Sequence, residues 1–445
     1  MSQVKQRKQF KNPIWGLGSF QALAMFRRGL FYTFLSIYMR NFLGLSVTAT
    51  TLYATIPMIL SVIGQNFIWG PLSDKIQKRR TLMIIGEVVA GILLTVVWYL
   101  HTIPSSKLVA GYIIIIGLTV IELFWSMSNI GWSALISDLY PSKTRSKIMG
   151  WLNSIGGVGR IIGATIGGLL YGSDGWQYEG WGFDKGALFI VASGIMLLST
   201  IPMFFTQEGG KTKSTVLNEE TSQNQLNDNP VLTIDKKIIH QIYLIFVFSM
   251  VFINFGRNSI ATIQSQYLTL ETGFAVDSIT LSYIANVNSI AVILFGIITG
   301  WVCKKIGEDN ALLVGALVGV LSLIIYSLPV GLPFIYGANI GQGISELVIY
   351  ASSYMYVSKL IPYEKRARLF ALYNATFFLS WGLSGTVMIG PIVDLLLNRG
   401  HAEVFAYRMS FVIAAGITLI GLVMFFGLVL HTRKLKIRKE IINLF

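Results

Sequence analysis

The chain alternates long apolar runs with short polar breaks. Twelve runs stand out, roughly at 14–39, 46–70, 81–100, 107–139, 147–171, 186–206, 237–268, 278–302, 310–329, 332–358, 367–396 and 404–431. Each can cross about 30 Å of hydrocarbon as a helix. In lipid a spanning segment must satisfy its own backbone polar groups, so runs of this length predict α-helices. The expected architecture is an all-α polytopic membrane protein of twelve transmembrane helices. Residues 207–236 are polar and lack any apolar period, as a linker would. The chain therefore divides into a six-helix bundle at 1–206, a cytoplasmic linker at 207–236, and a second six-helix bundle at 237–445 that ends in a basic tail.

The two halves echo each other. Phe26-x-Arg28 followed by Tyr38 recurs as Phe255-x-Arg257 followed by Tyr267. Gly70 with Lys75-Ile76 recurs as Gly300 with Lys305-Ile306, and Pro141, Arg145 and Asn153 recur as Pro362, Arg366 and Asn374. The offsets are 229, 230 and 221, so the repeat runs through each half. Six spans return the chain to the side where it began. The halves are then parallel repeats about an axis along the membrane normal, and solute sites in such folds lie at the midplane between them.

Composition agrees. Hydrophobic residues make up 53% and charged residues only 13% of the 445, against about 25% charged in a soluble domain. The net charge of +14 is placed by topology and not by nucleic acid. With the N-terminus inside, the inner segments hold 26 of the 35 Lys and Arg, which is the positive-inside asymmetry. Both termini are expected in the cytoplasm and the basic excess beside anionic lipid of the cell membrane. The outer segment 171–183 is rich in Trp and Tyr, as an interfacial belt is. The basic N-terminus lacks a signal-peptide cleavage pattern and reads as a tail. One cysteine, Cys303, excludes a disulfide framework or thiolate metal site, and the four histidines fall near run ends. No cofactor or metal is expected.

The turn after the second run reads "GPLSDKIQKRR", Gly70 to Arg80. It resembles the signature between helices 2 and 3 of the major facilitator superfamily, Gly-x-Leu-x-Asp-Arg/Lys-x-Gly-x-Arg/Lys-Arg/Lys. Gly70, Leu72, Asp74, Lys75, Arg79 and Arg80 match, and Gln77 stands at the second glycine. The copy at Gly300 keeps Lys305 but carries Lys304 where Asp74 sits, so it reads as degenerate. "GRIIGATIGG", Gly159 to Gly168, is similar to the helix-5 glycine motif of the superfamily's antiporters, with Ala164 in place of the proline. The resemblance implies the major facilitator fold, two pseudo-symmetric six-helix bundles, and secondary active transport by alternating access. It also implies a conformational latch of Gly70, Asp74, Lys75, Lys78, Arg79, Asp138 and Arg145. Asp74 would sit against a helix N-terminus of the opposite half, and Lys78 or Arg79 would pair with Asp138. The bland reading is a basic loop that only sets topology. Gly159, Gly163 and Gly167 share one helix face, where small residues let helices pack closely, and packing accounts for them as well as antiport does.

Charges inside the spans are the strongest functional signal, because they are costly in lipid. Arg28 lies near mid-depth of the first span and Arg257 at the matching depth of the seventh. Guanidinium groups stay charged and grip carboxylate or phosphate bidentately, so two facing a cavity would form an anion clamp. The pair resembles the arginines on helices 1 and 7 of the superfamily's organophosphate/phosphate exchangers in position and role. The structural alternative is internal pairing: Glu122 with Arg160, and Glu346 with Arg257 or Arg28. Arg27, about 100° round the helix from Arg28, is expected to face a neighbouring helix. Glu87, two turns into the third span, is expected to pair near the cytoplasmic surface. Glu122 and Glu346 are candidate proton carriers. Tyr32, Trp125, Asn254, Gln264 and Tyr350 follow helical spacing from these charges and are candidate solute contacts, each open to the alternative of interhelical hydrogen bonding.

The leading expectation is a monomeric secondary transporter of a small organic solute, leaning to an organic anion, with a proton as coupling ion. A proton-coupled drug or metabolite exporter is the second reading, and a non-transporting solute sensor the third. No phosphate-binding loop for ATP and no nucleophile–base or metal constellation is present, so the chain is not read as an enzyme.

Overall fold

A computed structural model describes residues 11–140, 142–172, 178–210, 236–361 and 366–442. Of the expected linker, 211–235 lie outside the described residues, as do the first ten residues. Twelve long helices are described. They are α1 (Lys11–Ile37), α2 (Val47–Ile76), α3 (Arg79–Thr102), α4 (Lys107–Leu139), α5 (Ser142–Tyr171), α6 (Ala187–Phe204), α7 (Lys236–Asn258), α8 (Ser278–Ile306), α9 (Glu308–Ser327), α10 (Leu332–Leu360), α11 (Arg366–Ser384, carried on by Gly390–Asn398) and α12 (Glu403–Ile442). Among the described residues, ten helices are long and apolar enough to cross a membrane. α1 and α10 fall outside the ten. They hold the adjacent Arg27 and Arg28, and the polar set Asn339, Gln342 and Glu346.

Local chemistry sets the helix ends and bends. Ser46 and Ser106 precede α2 and α4, and their hydroxyls accept the N–H groups of Ala49 and Val109. α2 and α11 each carry a π turn, Gly64–Trp69 and Gly385–Ile389, just before Gly70-Pro71 and Gly390-Pro391. Proline offers no N–H and crowds the preceding turn, and the widened π turn accommodates both effects. The turn also brings the Gln65 carbonyl so near Gly70 that a Cβ there would lie 2.6 Å from it.

The chain forms two compact units. The first holds α1–α6 together with residues 276–289, the first half of α8, where Ser278 donates to the Gly168 carbonyl and Asn286 to Thr165, both at 2.8 Å. The second holds α7, the rest of α8 and α9–α12. Leu17, Met83, Ile136 and Met203 centre the core of the first, and Phe246, Leu312, Ile349 and Phe425 that of the second. Outside, large apolar side chains such as Ile116, Phe205 and Val423 stand exposed. On a soluble protein such a surface would aggregate; here it faces lipid.

The tightest seam of the first unit is glycine-lined. A Cβ on Gly159, Gly163 or Gly167 would lie 2.1 Å from Ala22 O, 2.0 Å from Phe26 O or 2.7 Å from Leu30 O. Gly29 reciprocates, with Arg160 O at 2.2 Å. α1 and α5 thus touch backbone to backbone every fourth residue. At the repeat-related positions of the second unit the seam between α7 and α11 is polar. Asn258 stands where Gly29 does and Ser380 where Gly159 does, and Asn258 donates to Ser380 at 2.7 Å. Asn254 donates to Thr376 at 3.2 Å one turn away. The α5 glycines are therefore accounted for by packing.

Gly163→Ala is expected to lose about 1–3 kcal/mol or more, because the methyl group has nowhere to go but into backbone. Gly194→Ala, where nothing lies within 4 Å, should be silent. Thermal unfolding of the two detergent-solubilised variants against the parent checks this.

Candidate functional site

In the first unit the central charges gather around one indole. Trp125 on α4 is buried. Above its ring lie the guanidinium carbons of Arg27 at 4.2 Å and Arg28 at 5.5 Å. A cation over an aromatic face is attracted by the ring quadrupole, strongly so when desolvated. The indole N–H donates to Glu87 Oε1 at 2.7 Å, and the Ser128 hydroxyl donates to the same oxygen at 2.8 Å. Trp125 is thus held between a cation on its face and a carboxylate on its edge. Arg27 is 3% exposed, with Nη1 on the Met196 sulfur at 3.6 Å and its Nε and Nη2 without a hydrogen-bond partner among the described residues. Arg28 is exposed, with no carboxylate within ion-pair distance among the described residues. Glu122 is half-buried, hydrogen-bonded to Ser61, and feels the charges of both arginines. Tyr32 stacks on Tyr53 at 6.4 Å beside the same group.

Two expectations change here. Glu87 does not pair near the end of its helix: it is 2% exposed and belongs to the Trp125 cluster. The signal was present in "IIGEVVAG", a carboxylate with apolar residues on both sides. Glu122 and Arg160 make no ion pair among the described residues.

The second unit places its arginine differently. Arg257 is buried, and its Nη1 lies 3.9 Å from Glu346 Oε2 on α10. The repeat offsets 229 and 221 make Arg28 the counterpart of Arg257 and Trp125 that of Glu346. One arginine rests on a neutral ring and the other beside a carboxylate. Asn254 is fully buried in the α7–α11 seam and does not share an open face with Arg257. Gln264 is tied into a network, donating to Asn339 Oδ1 at 2.8 Å and to the Tyr326 hydroxyl. Tyr350 is exposed, one turn from Glu346, with its ring edge-on to Phe377 at 5.7 Å.

The turn between α2 and α3 is built on Arg79. Its Nη2 meets Asp74 Oδ1 at 3.0 Å and its Nε lies 3.6 Å from Asp138 Oδ2 on α4; Nη1 donates to Ser73. Arg79, not Lys78, is the partner of Asp138; Lys75 and Lys78 are exposed. Asp74 is bound within its own unit by Arg79. Arg145 sits in α5, but its side chain lies outside the described residues. Gln77, where a glycine was expected, takes the left-handed conformation at φ 57° and braces it by donating to the Asp74 carbonyl at 2.6 Å. Glu208, which sequence reading passed over, covers the start of α3. It accepts the N–H groups of Arg80 and Thr81 at 2.6 and 3.2 Å and pairs with Arg80 at 3.6 Å.

The family profile described as Major Facilitator Superfamily matches residues 17–385 and 246–441. The chain belongs to this superfamily. Among curated relatives it is 27% identical over 312 residues to the putative transporter AmpG 3 of Rickettsia prowazekii (strain Madrid E), covering 66% of each chain. It is 23% identical over 378 residues to the multidrug resistance protein MdtG of Citrobacter koseri, covering 82% of this chain and 81% of that one. The crystal structure of the nucleoside transporter NupG superposes with a TM-score of 0.68 at 14% identity, over 94% of this chain and 99% of that one. The major facilitator fold is thereby shown, and with it secondary transport without enzymatic chemistry.

Two outcomes follow from the geometry. Glu87→Ala strands the Trp125 N–H and the Ser128 hydroxyl, at about 1–3 kcal/mol for each buried group left unpaired. Glu87→Gln keeps an acceptor oxygen and should lose much less; unfolding followed by tryptophan emission compares them. Gln77→Gly should raise stability by about 0.5–1 kcal/mol, because glycine adopts the left-handed region without the Cβ clash. A fall in melting temperature would show that the Gln77 bond to Asp74 outweighs the strain.

Proposed function

We propose that this superfamily member carries a small organic anion by alternating access, driven by a proton gradient. The observation that carries the reading is Arg28, an exposed guanidinium in mid-helix with no ion-pair partner among the described residues. Its counterpart Arg257 already has Glu346, so the net attraction for an anion rests mainly on the first unit. The two-sided symmetric clamp becomes a one-sided site. Arg28 would grip a carboxylate or phosphate, and Trp125, Tyr32 and Tyr53 offer aromatic surface for an apolar or planar body. Glu122, beside the arginines and bonded to Ser61, is the candidate proton carrier of this unit. Glu346 has the same role in the second unit. The cell membrane and a cytoplasmic N-terminus remain the preferred placement, on the positive-inside count.

Export of amphipathic drugs is the second reading, favoured by the likeness to the multidrug protein MdtG. The α5 glycines lend it no support, since packing against α1 already requires them.

Uptake into proteoliposomes under imposed pH gradients, screened over phosphorylated, carboxylated and cationic compounds, tests the proposal. Anions are expected to be carried, with affinity falling on Arg28→Gln by about 1.5–3 kcal/mol, the worth of a hydrogen bond to a charged group. Arg28→Lys should recover only part, because lysine lacks the bidentate fork. Glu122→Gln should lose gradient-driven accumulation while exchange persists. Carriage of cations that is indifferent to Arg28 would overturn the anion reading and favour export.

A further inference from the structure

The second copy of the α2–α3 signature reads as degenerate because Lys304 replaces Asp74. The ion pairs around it give it a different meaning. α3 begins at Arg79-Arg80 and α9 at Glu308-Asp309, 229 residues later; the signature before them repeats at 230, and the difference is the turn, two residues (Gln77, Lys78) in the first copy and one (Gly307) in the second. Arg79 pairs with Asp138 at the end of α4; Glu308 pairs with Lys359 at the end of α10, 221 residues after Asp138. Arg80 pairs with Glu208, just beyond α6; Asp309 pairs with Arg433 on α12 at 2.7 Å, 225 residues after Glu208. Every charge in the set has changed sign, and every helix joined has its counterpart.

We propose that the two units hold the same end of their bundles with charge-inverted copies of one three-helix clamp, and that Glu208 and Arg433 are its positioning residues. The inversion has a physical basis in the helix start. The first turn of a helix exposes unpaired N–H groups and favours negative charge. α9 supplies that charge itself, through Glu308 and Asp309. α3 starts with two arginines and no acid in its first turn, so the carboxylate must come from elsewhere. Glu208 brings it, accepting the N–H groups of Arg80 and Thr81 as well as the Thr81 hydroxyl at 2.8 Å. The chain around Glu208 is fitted to the task. A Cβ on Gly209 would lie 2.8 Å from Asp138 Oδ2, and Gly210, at φ 147°, lies against the Gln77 carbonyl. Each clamp binds the ends of its helices into one block, α3, α4 and the end of α6 in one unit, α9, α10 and α12 in the other. Such a block moves as a rigid body when the transporter changes state, which is what rocking requires.

The protein contains its own reporter. Cys303, its one cysteine, is buried under the second clamp against Ala311 and Val348. Its counterpart at offset 230 is Ser73, 1% exposed beneath the first clamp. In membranes, N-ethylmaleimide should label Cys303 slowly in the parent protein. Asp309→Arg or Arg433→Glu alone should speed labelling roughly tenfold by opening the clamp locally. The two together recreate the polarity of the first unit and should return the rate to within about twofold of the parent, by the coupling logic of a double-mutant cycle. In the first unit Ser73 itself accepts from Arg79, so a cysteine there would alter the clamp; Arg80→Glu, Glu208→Arg and their combination are read instead by thermal unfolding, the singles lowering the melting temperature and the double restoring it. Glu208→Asp, which keeps the charge on a shorter reach, should fall between parent and Glu208→Arg. If a single exchange leaves no folded protein, recovery of monodisperse protein by the double exchange is the supporting result. Double exchanges that label as fast as the singles or stay unfolded, or singles that label like the parent, overturn the proposal.

Discussion

The backbone contact between α1 and α5 is the constraint on which the first unit depends. Three glycines on α5 meet Ala22, Phe26 and Leu30 at a distance no side chain could share. In lipid, helices gain nothing by hiding apolar surface from one another, so close backbone packing must supply the attraction. That packing also fixes the rotation of α1 about its axis. With Phe26 and Leu30 against α5, Arg27 is turned toward Trp125 and Met196, and the next residue, Arg28, is left open. Two adjacent arginines thereby acquire different environments without any change in residue type.

The halves share a plan but not a chemistry. Where the first unit uses glycine against backbone, the second uses Asn258 on Ser380 and Asn254 on Thr376. Where the first sets an arginine over an indole, the second sets one beside a carboxylate. A repeat of this kind conserves the places where helices must be joined and leaves the means free to diverge. That freedom lets Arg28 stand without a carboxylate partner among the described residues while its twin Arg257 lies beside Glu346.

The helices were legible from the apolar runs, because length and apolarity are properties of a single segment. The central cluster was legible in part. Arg28, Glu122 and Trp125 could be related through depth and one-turn spacing, both of which the helix period supplies. Glu87 could not be joined to Trp125, since that bond depends on how α3 and α4 are rotated against each other. Asn254 failed for the same reason: it lies one turn from Arg257, yet the α7–α11 seam takes it out of reach. Glu208 was hidden by its setting, at the head of a polar stretch whose bulk suggested only a tether.

The cap that Glu208 places on α3 also bears on the order in which the protein is made. The carboxylate and the N–H of Arg80 that it receives are 128 residues apart. At roughly 5–20 residues per second, a ribosome completes the start of α3 about ten seconds before it reaches that glutamate. During this interval the first turn of α3 depends on water or lipid headgroups for its N–H groups. α9 is under no such delay, because its own first two residues carry the acids. The cap on the start of α3 therefore forms only after the chain has been made past α6.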